Sequence, residues 1–182
     1  MHLLASNRVD LVLDVGANAG QYGRGLRDAG YRGRIVSFEP MRGAYARLEH
    51  EAKSDPFWDT RNFALGDFDG SAEINISANS YSSSILEMLP RHVQSAPVSR
   101  YTGRESVAVH KLDTVIDALT VGSEALFLKV DTQGYEKRVL AGAAHTLNWI
   151  VGAQLELSLV PLYDGNALLG EMVKLMEDSG LF

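Results

Sequence analysis

The sequence predicts an α/β fold with a largely parallel sheet and helices on both faces. Three observations predict it. Short, continuously apolar runs rich in β-branched residues alternate with stretches of helical period. The connections between them are short, so they read as right-handed βαβ units. Several of the apolar runs also end in a carboxylate or a glycine, at the strand ends where such sheets bind ligands.

The first run, Leu11–Val15, leads into Gly16-Ala17-Asn18-Ala19-Gly20. Tyr22, Leu26 and Ala29 then form one helical stripe, with Gly30 as the stop. Gly23 and Gly25 each weaken that helix by about 1 kcal/mol relative to Ala. A second strand over 34–39 runs into Pro40, which the first helical turn tolerates. Met41, Ala44, Tyr45, Leu48 and Ala52 then share one helical face.

A third strand is expected within 58–65, followed by a Gly66–Gly70 turn and an alternating stretch over 72–76. Residues 77–106 break the rhythm and read as an insertion over the sheet edge. Regularity returns at 107–109, with a short helix over 114–119 and an apolar strand over 125–130. A helix over 135–147 turns Val139, Leu140, Ala143 and Leu147 inward. A strand over 150–157, a loop over 158–165 and a helix over 166–179 complete the chain.

Composition bounds the function classes. At about 150 residues per domain, 182 residues make one domain, spanning 1–182. A chain of this size hides roughly 70% of its unfolded surface and needs no metal or disulfide staple. Apolar residues are 46% and charged residues 22%, the balance of a folded chain. With 17 Lys and Arg against 23 Asp and Glu, the net charge of −6 leaves no basic patch for nucleic acid. The absence of cysteine excludes disulfides, thiolate metal sites and a Cys nucleophile. No apolar run approaches the roughly 20 residues of a transmembrane segment. The N-terminus lacks the layout of a signal peptide, so a cytoplasmic location is expected.

The strand ends carry Asp14, Glu39, Asp131 and Glu156. Gly16 can turn sharply, and Gly20 opens a helix N-terminus to a ligand. Carboxylates there would repel a pyrophosphate and favour a cation or ribose hydroxyls. Glu39 is placed to accept both hydroxyls of a ribose. Asn18 and Gln21 occupy the second and third glycine positions of a dinucleotide loop, which disfavours an NAD-type dehydrogenase. Five histidines show no metal-site spacing, and no metal is assigned. His92 lies in the insertion as a candidate substrate residue. Tyr81, Tyr101 and Tyr163 offer faces on which a sugar ring could lie.

The chain resembles a known family at several points. Asp14-x-Gly16-x-Asn18-x-Gly20, Phe38-Glu39-Pro40 and Ala64-Leu65-Gly66-Asp67 look like the class I S-adenosylmethionine-dependent methyltransferases, a Rossmann-like sandwich. More narrowly, Leu112-Asp113-Thr114, the Ser82–Ser84 cluster and the run from Leu128 to Glu136 resemble the FkbM-type methyltransferases. The likeness implies O-methylation of a sugar hydroxyl in a glycolipid, polysaccharide or polyketide-type product, with S-adenosylmethionine as cofactor. By the same likeness Asp14, Gly16, Asn18 and Gly20 would hold the methionine part and ribose, and Glu39, followed by Pro40, the ribose hydroxyls. Ala64, Leu65 and Asp67 would flank the adenine, with Asp67 accepting from its amine. Ser83, with its neighbours Ser82 and Ser84, reads either as a contact to the cofactor carboxylate or the substrate, or as solvated loop. Asp131 would lie by the sulfonium and the incoming hydroxyl, as general base or orienter, with Glu156 second and Lys129 paired to Asp131. A plain ion pair for Lys129 and a helix cap for Asp131 are the competing readings.

Two departures from the family stand out. Gln133 replaces its usual Glu. Nothing follows Phe182, so the expected fold lacks the usual C-terminal β-hairpin; either the chain is cut short or another subunit, in a homo-oligomer, covers the exposed edge. Both departures favour an alternative, a catalytically impaired cofactor-binding or assembly subunit of the same fold.

Overall fold

The computed structural model describes residues 2–122 and 124–180. Its centre is a sheet of five parallel strands, β1 (Leu11–Val15), β2 (Arg34–Phe38), β3 (Trp58–Arg61), β7 (Leu126–Val130) and β8 (Ile150–Leu155). Their order is β3-β2-β1-β7-β8, so the chain first winds outward from β1 and then returns to its other side. A second sheet is built from β4 (Ala64–Leu65), β5 (Gly70–Ser77) and β6 (Tyr101–His110), with β6 in the middle. This is the α/β, Rossmann-like arrangement expected.

All five residues of β1 and of β7 are buried, because helices cover both faces. On one face α1 (His2–Ser6), α2 (Gln21–Asp28) and α3 (Arg42–Ala52) pack Leu4, Leu26, Leu48 and Ala52 against Val12, Ile35 and Phe127. On the other, α5 (Leu112–Val115), α6 (Glu136–Ala141) and α7 (Leu169–Asp178) pack Leu112, Val139, Leu140 and Met172 against Leu11, Leu13, Val36 and Leu128. A small cluster of Met41, Ala44, Ile74 and Val107 joins the second sheet to α3. A further short helix, α4 (Pro90–Ser95), lies within the long connection between β5 and β6. Among the described residues no helix is long and apolar enough to cross a membrane.

Several boundaries differ from the sequence expectation. The single strand expected over 58–65 is two strands in two sheets. Asn62 interrupts it, its Nδ2 donating to the carbonyls of Glu39 at 2.9 Å and Pro40 at 3.0 Å, so Ala64 and Leu65 pair with β6 instead. Residues 101–106, expected within the insertion, form the first half of β6, antiparallel to β5. That half shows no apolar alternation because most of it is solvent-exposed; burial begins at Val107. The helix expected over 135–147 stops at Ala141. A Cβ at Gly142 would lie 1.8 Å from the Gly66 carbonyl oxygen, so the chain presses onto the second sheet there. The four residues expected to face inward are nonetheless all buried.

Gly23 has a packing role. A Cβ there would sit 2.2 Å from the Trp58 ring, so the helix-weakening residue is what lets α2 lie against β3. The β8 strand forms one edge of the sheet, with Val151 exposed.

Candidate active site at the carboxyl rim

The glycine loop follows β1 at the point where the winding direction switches, the position at which α/β sheets take ligands. Its N–H groups are fastened to β2: Gly16 and Ala17 both donate to the Phe38 carbonyl, at 3.1 and 3.0 Å. Asn18, left-handed at φ 48°, donates its N–H to Glu39 Oε2 at 2.9 Å. Ala19 donates to the Gln21 side chain and Gly20 to the Ala17 carbonyl. Every backbone N–H from Gly16 to Gly20 therefore has an internal acceptor, and none is left for a phosphate. Gly16 itself, at φ +75°, admits no side chain: a Cβ would meet the Asp131 carbonyl oxygen at 1.9 Å.

Beside the loop is a cleft of about 670 Å³, its open mouth included. Its lining is apolar and aromatic through Phe38, Met41, Phe63, Leu65, Ile74 and Tyr135, and polar through Glu39, Asn18, Asp131, Thr132 and Gln133. The segment after β5 roofs the mouth. Asn18 Nδ2 donates to the Ser80 carbonyl at 3.4 Å, and Gln21 Nε2 to the Tyr81 hydroxyl at 3.3 Å.

Eight of the thirteen residues assigned to the cofactor or the chemistry line this cleft: Gly16, Asn18, Glu39, Pro40, Ala64, Leu65, Ser83 and Asp131. Ser83 is buried and its Oγ accepts the Ser77 N–H at 3.0 Å, so the serine cluster is ordered wall rather than solvated loop. The others stand apart. Gly20 is the N-cap of α2 and packs against Leu48 and Trp58. Asp67, expected to meet the adenine amine, is off the lining: Arg138 holds its carboxylate at 2.7 Å. Asp14 is fully buried beneath the loop.

Asp14 belongs to a polar row that runs across the whole sheet. Thr60, Ser37, Asp14, Lys129 and Gln154 lie in register on β3, β2, β1, β7 and β8. Trp58 Nε1 donates to Ser37 Oγ, and Ser37 Oγ donates to Asp14 Oδ2, both at 3.0 Å. Asp14 Oδ1 lies 3.2 Å from the Lys129 ammonium. Tyr22 caps the far end, donating its hydroxyl to Gln154 Oε1 at 3.0 Å. Lys129, expected to pair with Asp131, stands 3.8 Å from it and closer to Asp14.

Asp131 does not cap the next helix; Glu136 does the fastening there, accepting the Thr132 and Gly134 N–H groups at 2.8 and 3.2 Å. Instead Asp131 forms a pair with Glu156. Gln133 Nε2 donates to Asp131 Oδ1 at 2.9 Å and also to Glu156 Oε2. Gln133 is left-handed at φ 56°, and its Oε1 lies 3.0 Å from the Tyr163 hydroxyl. The hydrogen bond and charge of Asp131, together with burial, push the Glu156 carboxyl up to about 8. Burial, helped by the Asp14 charge and opposed by two backbone bonds and the Lys129 charge, pushes Glu39 up to about 7.

Glu156 lies outside the cleft, in a second, open groove with Lys129, Asp131, Gln154, Leu155 and Leu157. Asp131 lines both spaces. Of the tyrosines expected to carry a sugar, only Tyr81 is exposed. Tyr163 is buried, wedged against Gly134 and edge-on to His92, which is itself buried. Tyr101 gives its hydroxyl to the Leu86 carbonyl. Phe63, Met41 and Ile74 were not singled out in the sequence as cleft lining, because an apolar side chain carries no local signal that separates a ligand wall from ordinary packing. Among the described residues no group of three or more His, Asp or Glu side chains could hold a metal ion.

Compared with known proteins, residues 14–180 match a family model described as a methyltransferase FkbM domain. No curated protein and no solved structure matches the chain.

Proposed function

The chain belongs to the FkbM methyltransferase family, and from that premise we propose an S-adenosylmethionine-dependent O-methyltransferase acting on a hydroxyl of a sugar, a glycosylated natural product or a glycolipid. The observation that carries the reading is the position of Asp131, which among the described residues is the one shared by the largely apolar cleft and an open polar groove. A two-substrate transfer needs such a junction.

The cleft suits the cofactor by its chemistry. The aromatic side chains of the lining accept a flat base, and the Glu39 carboxylate, with lone pairs to spare beyond its two backbone bonds, accepts ribose hydroxyls. The fully bonded loop N–H groups favour a ligand without a pyrophosphate, which disfavours NAD. When bound, the cofactor supplies an electrophilic methyl group on a cationic sulfur.

The protein's own contribution is mainly placement. Holding two partners in line contributes about 7–11 kcal/mol, more than the 10²–10⁴-fold of a typical general base. Asp131 accepts a hydrogen bond from the acceptor hydroxyl at the junction and takes up its proton. Glu156, holding a proton near neutral pH, leaves the pair with a single negative charge beside the cation. Gln133 keeps the two carboxylates together.

Titration calorimetry with S-adenosylhomocysteine, and separately with NAD, tests the cofactor. Binding of the first and none of the second is expected; failure to bind S-adenosylhomocysteine overturns the reading. Mass spectrometry of a glycan panel incubated with isotopically labelled cofactor tests the acceptor. Methyl label on a sugar hydroxyl is the expected result, and cofactor binding without label on any member would favour the non-catalytic alternative.

A further inference from the structure

We infer that Lys129 is a positioning residue: its buried ammonium fixes the carbonyl of Gly16, and so sets the shape of the glycine loop and the affinity for the nucleoside cofactor. The second half of this inference rests on the cleft being the cofactor site.

The loop is clamped from two sides. Its N–H groups are taken by β2, through the Phe38 carbonyl and the Glu39 carboxylate. Its first carbonyls face the other way, toward β7. There Lys129 Nζ donates to Gly16 O at 3.1 Å, whereas Val15 O already accepts the Asp131 N–H at 3.1 Å and has Lys129 Nζ only at 3.4 Å. The Lys129 side chain is only 8% exposed, and its ammonium sits over the Tyr22 ring at 5.4 Å from the centroid. A buried charge needs both a counter-charge and hydrogen-bond acceptors. Asp14 supplies the charge at 3.2 Å and the loop supplies the acceptors. Lys129 does not line the cleft, so its effect on a ligand there must pass through the loop.

The charge and the hydrogen bonds can be separated. Lys129→Met strands the buried Asp14 carboxylate, so both stability and binding should fall. Asp14→Asn/Lys129→Met removes both charges and restores most of the thermal stability, yet still lacks the donor to the loop. S-adenosylhomocysteine binding is therefore expected to be at least about tenfold weaker in the double variant than in Asp14→Asn alone, the loss typical of a charged hydrogen bond. A purely structural ion pair predicts the opposite, with affinity recovering alongside the melting temperature.

Backbone amide exchange at Ala17 and Asn18 in the ligand-free protein supplies an independent readout. It should be at least tenfold faster in the double variant than in Asp14→Asn. Equal exchange in those two variants overturns the positioning role. If exchange is faster but the unaltered protein binds no S-adenosylhomocysteine, the clamp stands and the cofactor reading falls.

Discussion

The side-chain amide of Gln133 donates to the carboxylate of Asp131 at 2.9 Å. The same nitrogen also serves Glu156, so one neutral donor joins two acids. A glutamate at 133, the residue the family resemblance leads one to expect, would place a third carboxyl where these two need a donor. The departure at Gln133 is thus matched by its surroundings, including the Tyr163 hydroxyl against its oxygen. It does not by itself argue for lost activity.

Asp131→Asn should separate binding from turnover. The substitution keeps the side chain's size but removes the proton acceptor at the junction. With an acceptor identified from the glycan panel, turnover is expected to fall about 10²–10⁴-fold. Affinity for S-adenosylhomocysteine should change by no more than about threefold, roughly 0.7 kcal/mol. Unchanged turnover would remove Asp131 from the chemistry.

Glu39→Gln should weaken the cleft itself. Glu39 accepts from Asn18 N and Met41 N, each at 2.9 Å. An amide can accept from only one of them and turns its NH₂ toward the other. Losing one charge-assisted bond costs about 1.5–3 kcal/mol. Calorimetry should therefore show S-adenosylhomocysteine affinity about 10- to 100-fold lower. Retained affinity would mean that the ligand does not use this carboxylate.

The raised titration of Glu39 gives a pH dependence with a definite sign. Its ordinary value is 4.5 and its folded value about 7. Below about pH 4.5 both states hold the proton, and the group costs nothing. Between 4.5 and 7 the unfolded chain gives up its proton first, so stability falls as pH rises and stays lower above 7. The full cost is on the order of 3 kcal/mol. Urea unfolding at about pH 5 and about pH 7.5 should show a smaller change in Glu39→Gln than in the unaltered protein. Equal changes would place the titration elsewhere.

Gly23→Ala should destabilise the protein although Ala favours helix by about 1 kcal/mol. The new methyl would lie 2.2 Å from the Trp58 ring, a contact that forces the ring or α2 to move. Overpacking of this kind costs about 1–3 kcal/mol. Thermal unfolding should show a lower midpoint, and Gly25→Ala, with open space around it, a higher one. A rise in both would mean that Trp58 adapts freely.

The main sheet was legible because its inner strands are buried on both faces, and mostly apolar runs such as Leu11–Val15 and Leu126–Val130 have few other readings. The second sheet was not, because half of β6 is exposed and its partner β5 lies across a long connection. Asp131 and Glu39 were legible as carboxylates at strand ends. The Arg138 that holds Asp67 was not, because it is 71 residues away.

Local pattern therefore determined the α/β class, the glycine loop and which strands end in carboxylates, since periodicity and turn chemistry act over a few residues. Tertiary structure alone decided what those groups face. The row from Thr60 to Gln154 exists only because five strands fall into one register. Only folding brings Gln133 between Asp131 and Glu156, and Lys129 beneath the loop, because each is a meeting of side chains from separate elements whose position no local signal encodes.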